Sequence, residues 1–191
     1  MKVIYLTGVA GTGKSTLCNF IKSINPLIEV VSYSGILKEF LEAKFKCNIS
    51  QEEMRTKSAS IITSDDIIAV DTLLLNIINN LKRTSHIIID SHAVTYEQYG
   101  FRATPFKTSV LNQLNFELLI SLYCSTNTII NRISADPKGR PMLSSEQISY
   151  AINLQNSLVL NYGIILNKPV YFLNTDNDFL YLSEWINKKL S

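Results

Sequence analysis

The sequence GVAGTGKST, residues 8–16, joins a short apolar run at residues 2–6 to an amphipathic segment that begins at Lys14. It matches the pattern GxxxxGK[ST] and lies between a predicted strand and a predicted helix, the context in which this pattern forms a phosphate-binding loop. Glycines let the backbone turn tightly, so that successive N–H groups point at an anion, and the following helix adds the positive end of its dipole. The segment therefore predicts a polyphosphate site formed by Gly11, Thr12, Gly13, Lys14, Ser15 and Thr16.

Three side chains at or near this loop have predicted chemical roles. Lys14 is expected to reach the β and γ phosphates of the polyphosphate, and the Ser15 hydroxyl is expected to bind the Mg²⁺ that bridges them. The apolar run at residues 87–89 ends in Asp90, the usual carboxylate partner of such a loop. Alone, that run is equally typical of a surface or helix-capping Asp. Beside the loop, it predicts that Asp90 is a second metal-site residue that orients magnesium-bound water.

Short β-branched runs alternate with longer segments of helical period, which is typical of a parallel sheet with helices on its faces. Predicted strands lie at residues 2–6, 29–33, 86–90, 117–123 and 169–173. Predicted helices lie at residues 14–23, 36–45, 52–63, 65–81, 105–114, 128–134, 145–162 and 178–190. The sequence therefore predicts an α/β protein with a three-layer P-loop NTPase fold, a five-stranded parallel sheet and a short lid.

Local signals refine this outline. Ser50 with Glu53, and Ser144 with Gln147, have the spacing of helix-capping boxes. Two polar stretches, residues 94–104 and 135–144, are predicted loops, and loops of this length are often functional lids. A single domain is expected over residues 1–191, with an acceptor-binding region at about 33–63 and the lid at about 135–144.

Composition excludes several functional classes. With 46% apolar and 18% charged residues, the 191-residue chain is expected to fold around a core rather than to be disordered. Its net charge of +2 is too small to attract nucleic acid or anionic lipid in general, and no apolar run reaches the roughly 18 residues of a membrane span. The cysteines Cys18, Cys47 and Cys124 are expected to be reduced. Together with an N-terminus that leads straight into a strand, these features predict a cytoplasmic protein.

The few arginines indicate where a second anion would bind. Arg140 follows Arg132 by eight residues, across Asp136-Pro137-Lys138-Gly139, which suits a lid that carries Arg140 over the triphosphate while Arg132 braces the transferred group. Arg55 lies on the side of the second strand, where an acceptor phosphate would be held. Solvated surface arginines are the alternative interpretation for all three.

With these residues placed, the sequence resembles the archaeal-type adenylate kinases, a short-lid branch of the nucleoside monophosphate kinases. The resemblance covers nearly the whole chain. It rests on TGVAGTGKST at 7–16, YSG at 33–35, EEMR ending at Arg55, IIIDSH at 87–92, VLNQLN at 110–115, the lid at 132–140 and NYG at 161–163. The segment after Asp90 departs from the family's usual short proline- and glycine-rich stretch, and Arg102 falls inside it.

The resemblance implies that the γ-phosphoryl group of MgATP passes to AMP, with nucleotides as the partners and Mg²⁺ as the cofactor. It implies that Arg55 binds the acceptor phosphate, that Tyr33, Ser34 and Gly35 line the acceptor pocket, and that His92 shapes the wall beside Asp90. A structural histidine is the alternative for His92. It also implies that Arg132 and Arg140 are the transfer and lid arginines. A homo-oligomer stays open, since some relatives form trimers.

Two other functions fit parts of the sequence. RPML at 140–143 resembles the lid of shikimate kinases, although an alcohol acceptor needs a nearby carboxylate base, and Asp90 is the single candidate. An adenylate-kinase-like ATPase that times the release of an assembly partner would need an exposed partner surface, for which Phe40, Phe45 and Tyr99 are candidates. Core packing explains those aromatic residues equally well.

Overall fold

The computed structural model describes residues 1–50, 61–97, 99–135 and 142–190. Seven strands are described: β1 (Val3–Gly8), β2 (Ile28–Ser32), β3 (His86–Asp90), β4 (Val94–Glu97), β5 (Gly100–Ala103), β6 (Leu118–Tyr123) and β7 (Val170–Asn174). The described helices are α1 (Lys14–Ile24), α2 (Tyr33–Phe45), α3 (Ser64–Leu81), α4 (Thr108–Leu114), α5 (Thr126–Ser134), α6 (Ser145–Leu166) and α7 (Phe179–Leu190).

Five of these strands form the predicted parallel sheet, in the order β2-β3-β1-β6-β7. Every residue of β1 is buried, as expected for the central strand of a sheet covered on both faces. In register, Leu6 pairs with Asp90 of β3, and Ser32 of β2 pairs with the same Asp90. The carboxyl ends of β1, β2 and β3 therefore meet at one edge, where ligands bind in open α/β sheets.

Residues of β1 alternate between two cores, which makes the fold three-layered. Val3 and Tyr5 pack into one cluster with residues of α3, α4 and α6. Ile4 and Leu6 pack into the other cluster with residues of α1 and α7. The predicted α/β fold is confirmed. No helix within the described ranges combines the length and apolar character needed to cross a membrane.

Helix starts follow the local sequence. The predicted capping box at Ser144 and Gln147 is confirmed, since each side chain bonds to the other residue's backbone N–H. A second box, between Thr63 and Asp66 at the start of α3, was not predicted, although its residues have the required spacing. The predicted box at Ser50 and Glu53 stays a prediction, because Glu53 lies outside the described residues, as does most of the predicted helix at 52–63.

Several sequence predictions were wrong in detail. The stretch at 94–104, predicted to be a loop, contains the antiparallel hairpin of β4 and β5, in which Thr95 pairs with Arg102. Its alternating aromatic residues pack on α6: Tyr96 accepts a hydrogen bond from Gln147, and Phe101 packs against Tyr150. The predicted second strand ran one residue too far, because the Ser32 side chain caps α2 and makes residue 33 helical. The helix predicted at 105–114 begins three residues later.

Candidate active site

The glycine-rich loop has the backbone conformation that its sequence predicts. Gly11 and Gly13 have φ angles of 86° and 82°, in the left-handed region that favours glycine. At Gly13 space is limiting as well, since a Cβ atom would lie 2.9 Å from Cζ of Phe179. Gly13 is followed directly by α1, whose first N–H groups have no acceptor within the helix. The loop therefore presents helix-end donors to an anion at the carboxyl edge of the sheet.

Two carbonyl groups of the same loop accept hydrogen bonds from threonine side chains. Thr12 is fully buried and its Oγ1 donates to the carbonyl oxygen of Val9 at 2.8 Å. The Oγ1 of Thr175 donates to the carbonyl oxygen of Thr12 at 2.7 Å. These two hydrogen bonds satisfy two carbonyl oxygens of the loop with side-chain donors, which restricts the conformation of the loop.

Arg132 also contacts the loop. Its Nη1 donates to the carbonyl oxygen of Gly11 at 3.1 Å, and its Nη2 donates to the carbonyl oxygen of Thr175 at 3.3 Å. The guanidinium thus connects the end of α5, the phosphate loop and the turn after β7. Its predicted role in bracing the transferred group stays a prediction, and the structure adds a role in holding the loop.

Lys14 and Asp90 form the charged centre of the site. The Lys14 Nζ lies 2.6 Å from Oδ1 of Asp90, and their side chains are 8% and 13% exposed. The pairing follows from topology, because β1 leads into the loop and β3 is the neighbouring strand. Two charges this deeply placed have a high desolvation cost, which their mutual attraction offsets only when the geometry is good.

The oxygen donors at this centre fit magnesium. Ser15 is exposed one residue after Lys14, and Asp90 supplies a carboxylate. Hydroxyl and carboxylate oxygens are hard ligands, and Mg²⁺ commonly takes few protein ligands together with waters and substrate phosphates. In the described part of the chain, no cluster of three or more His, Cys, Asp or Glu side chains has the geometry of a metal site. Ser15 and Asp90 are thus the residues that would hold a phosphate-bound magnesium ion.

The predicted acceptor residues Tyr33, Ser34 and Gly35 form the first turn of α2. This turn follows β2, whose last residue Ser32 is in register with Asp90. The Oγ atom of Ser32 accepts a hydrogen bond from the Gly35 N–H and lies 3.2 Å from Oγ of Ser34. The structure therefore places the predicted acceptor turn one strand away from the charged centre.

The other predicted site residues are placed less completely. His92 is exposed two residues after the end of β3 and has an interaction partner. Arg55 and Arg140 lie outside the described residues, as does most of the predicted lid, so their roles stay predictions. Arg102 forms an ion pair across the hairpin, with its Nε 3.2 Å from Oε1 of the buried Glu97.

Tyr33 connects the acceptor turn to a buried carboxylate. Its Oη donates to Oδ1 of Asp71 on α3 at 2.8 Å, and its ring packs edge-on against Phe106 at 5.3 Å between centroids. Burial raises the pKa of the Asp71 carboxyl above its usual range, and the hydrogen bond from Tyr33 counteracts part of that effect. The pKa of the Tyr33 hydroxyl is also raised, mainly by burial and then by the negative charge of Asp71.

Two residues of this arrangement were not singled out in the sequence. Thr175 follows β7 at the carboxyl edge of the sheet, so a polar turn after the last strand was a usable signal. Asp71 lies inside an otherwise apolar stretch of α3, and a single acidic residue on the buried face of a predicted helix was the available signal. Its partner, however, is 38 residues away in sequence, and local patterns carry no information at that separation.

Comparisons with known proteins agree with this geometry. A family model described as an AAA domain matches residues 7–149. The adenylate kinase of Pyrobaculum aerophilum is 27% identical over 149 residues, which cover 78% of this chain and 71% of that protein.

Solved structures resemble the whole chain in fold. A shikimate kinase from Acinetobacter baumannii in complex with shikimate has a TM-score of 0.59 at 15% identity, covering 100% of this chain and 93% of that one. A tunicamycin resistance protein of Deinococcus radiodurans has a TM-score of 0.61 at 14% identity, covering 100% and 95%. The AAA domain match spans well over half of the chain, so the protein belongs to the AAA domain family, and its fold is that of the P-loop nucleotide and small-molecule kinases.

Proposed function

We propose that the protein is an ATP-dependent nucleoside monophosphate kinase that transfers the γ-phosphoryl group of ATP to AMP, giving two molecules of ADP. The phosphate loop supports the donor half of this reaction, as does the pairing of Lys14 with Asp90. The acceptor half is supported by the turn at Tyr33 to Gly35, which lies one strand from that pair. The adenylate kinase of Pyrobaculum aerophilum, at 27% identity, agrees with this choice of acceptor.

One observation carries the choice of an anionic acceptor over an alcohol. The Asp90 carboxylate is 2.6 Å from the Lys14 ammonium group. When Lys14 binds the donor phosphates, Asp90 is assigned to magnesium-bound water instead, so in neither arrangement is it assigned to remove a proton from a hydroxyl. Ser34 in the acceptor turn and Ser32, which caps it, contribute hydroxyls. A phosphate acceptor is already a nucleophilic anion and needs no general base, whereas a sugar or shikimate hydroxyl does.

In the proposed reaction each group of the chain has a positional or electrostatic task. The N–H groups at the start of α1 and the Lys14 ammonium group hold the donor phosphates, and Arg55 is assigned to the acceptor phosphate. Arg132 keeps the loop in shape through the Gly11 carbonyl, and Arg140 is assigned to the closing lid. Mg²⁺, held by Ser15 and through water by Asp90, would neutralise charge on the β and γ phosphates. Alignment of the two substrates, with charge neutralisation, accounts for the catalysis.

Product analysis tests the proposal. Purified protein with MgATP is given a panel of AMP, dAMP, CMP, UMP, GMP and shikimate, and nucleotides are separated by chromatography. We expect AMP-dependent formation of ADP at twice the rate of ATP loss. Phosphorylated shikimate without ADP formed from AMP would establish the alcohol-kinase alternative. Phosphate release that is independent of every acceptor would establish the ATPase alternative instead.

A further inference from the structure

A layer of polar side chains is buried between the central sheet and α6, and the proposed reaction does not use it. Thr7 of β1 is in register with Ser121 of β6. On the other side of β1, Ser91 follows directly after the register pair of Leu6 and Asp90. The residues that supply these three hydroxyls are each at most 4% exposed. Burying a hydroxyl is unfavourable unless it is hydrogen-bonded, so this row needs partners inside the protein.

Part of the layer is satisfied by direct hydrogen bonds with α6. The Oγ of Ser121 donates to Oδ1 of Asn156 at 2.8 Å. The Oε1 of Gln155 accepts the Val94 N–H at 3.3 Å, which connects α6 to the first strand of the hairpin. Because that bond uses the side-chain oxygen of Gln155, the group of this amide that still needs a partner is the Nε2 donor.

Three polar groups of the layer have no hydrogen-bond partner among the described residues. They are Nε2 of Gln155, Oγ1 of Thr7 and Oη of Tyr5, in residues that are 1%, 0% and 0% exposed. Burial raises the pKa of the Tyr5 hydroxyl to about 12, and the nearby hydroxyls of Thr7 and Ser91 counteract part of that rise. The Tyr5 oxygen is therefore close to those hydroxyls, yet it has no hydrogen bond of standard geometry.

The unpaired groups have complementary hydrogen-bonding properties and lie at one level of the sheet. Gln155 precedes Asn156, which contacts Ser121, the register partner of Thr7. An amide nitrogen only donates, whereas a hydroxyl both donates and accepts. Folded proteins satisfy such groups with internal water, about one buried molecule per 27 residues, which typically makes about three hydrogen bonds. A water molecule can accept from the amide and bond to a hydroxyl at the same time.

We infer that this polar layer is a binding site for ordered internal water, held by the Gln155 amide nitrogen and by the hydroxyls of Thr7 and Tyr5. The inference goes beyond the proposed function, because it concerns neither substrate and does not depend on the identity of the acceptor. Thr7 directly precedes the phosphate loop, and Gln155 also bonds to the hairpin through Val94. The bound water thus connects the start of the loop to α6 and, through Gln155, to the hairpin.

A high-resolution crystal structure of the full chain tests the site directly. We expect electron density for water within about 3.2 Å of Gln155 Nε2 and of at least one of the hydroxyls of Thr7 and Tyr5. Well-defined side chains with no density between them would overturn the inference. A Gln155 amide that bonds directly to either hydroxyl would do the same.

Urea denaturation supplies a second test, because the sign of the effect separates a hydrated layer from a dry one. Tyr5→Phe and Thr7→Val each remove one hydroxyl and change the side-chain volume little. If the hydroxyls bind water, both variants should lower the urea midpoint, by about 0.5 M for the loss of one hydrogen bond. If the hydroxyls are unpaired and dry, both variants should raise it, since an apolar group then replaces an unsatisfied one. A raised midpoint in both variants would therefore contradict the inference.

Thr72→Val is the matched control, because Thr72 is exposed on α3 and its hydroxyl bonds to the Ile68 carbonyl of its own helix. Its midpoint should stay within about 0.2 M of wild type. The double variant Thr7→Val with Gln155→Met should lose less than the sum of its single losses, since both groups serve one site. Strictly additive losses would contradict a shared site. If a variant does not fold, the crystal structure of the wild-type protein decides the matter.

Discussion

At the scale of single residues, the Lys14–Asp90 pair links stability to function. The two side chains are almost completely removed from water, and their atoms are 2.6 Å apart. Each buried charge is stabilised only while the other is present. A surface ion pair can lose one partner at little cost, because water solvates the remaining charge. Lys14 is also the residue expected to reach the donor phosphates. Bound phosphates would therefore compete with Asp90 for the Lys14 ammonium group.

Removing one member should therefore affect stability as well as activity. We expect Lys14→Met to abolish ADP formation and to lower the free energy of unfolding by about 3 kcal/mol, because an unpaired carboxylate stays buried. Asp90→Asn should show a loss of similar size. Urea denaturation without nucleotide measures both variants together with the double variant. The double variant should lose clearly less than the sum of the single losses, and strictly additive losses would show that the charges are not coupled.

At the scale of elements, the layered fold depends on how closely helices approach the sheet. Gly163 is buried in α6, and a Cβ atom added there would lie 2.5 Å from Cγ2 of Val170 and 3.0 Å from the carbonyl oxygen of Lys168. The glycine is thus needed for the contact between α6 and β7 rather than for backbone freedom. The same helix supports the hairpin, whose Val94 N–H donates to Oε1 of the buried Gln155.

Gly163→Ala should therefore destabilise the protein, although alanine favours a helix by about 1 kcal/mol over glycine. We expect a net loss of about 1–3 kcal/mol from overpacking, measured by urea denaturation. Gly35→Ala is the matched control for stability. Gly35 is also helical, and an added Cβ atom there would meet its nearest neighbour, the Ser32 Cβ, at an ordinary 3.4 Å. Gly35→Ala should be neutral or stabilising; equal losses in both variants would contradict the close-approach argument.

At the scale of the whole molecule, the carboxyl and amino edges of the sheet carry different groups. The carboxyl edge carries the phosphate loop and the acceptor turn. At the amino edge, the Nδ1 of His86 at the start of β3 accepts a hydrogen bond from the N–H of Lys2 at 3.2 Å. Partial burial lowers the pKa of His86, and the positive charge of Lys2 contributes in the same direction. This edge is thus expected to respond to pH without involvement of the site.

The direction in which stability changes with pH follows from the lowered pKa of His86. The pKa of His86 is lower in the folded protein than the usual value of about 6.5. Its contribution to the free energy of unfolding is therefore complete above pH 6.5. It is lost as pH falls through the folded-state pKa, since the unfolded chain takes up the proton first. We expect urea midpoints to decline between pH 7.5 and 5.5 and to decline less in His86→Asn, which keeps an acceptor and does not titrate. Parallel curves for the two proteins would exclude His86 as the source.

The amino-acid sequence by itself determines much of this protein. The loop motif, the five strands of the sheet and the carboxylate that ends the third strand all follow from it. Each depends on short-range order: glycines that permit positive φ at residues 11 and 13, β-branched runs that need burial on both faces, and a carboxylate directly after such a run. These signals are local, and no distant partner competes with them.

The remaining features depend on residues far apart in the chain. The hairpin at β4 and β5 has the sequence of a polar loop, and it becomes a hairpin because α6 packs against its aromatic face. Arg132 holds the loop because Gly11 and Thr175 bring carbonyl groups to it from 121 and 43 residues away. Asp71 acquires a hydrogen-bond donor in Tyr33, from another helix. Hydrogen bonds and packing contacts across such separations form only when the layers of the fold pack together. The periodicity of the sequence does not indicate which distant side chains then come into contact.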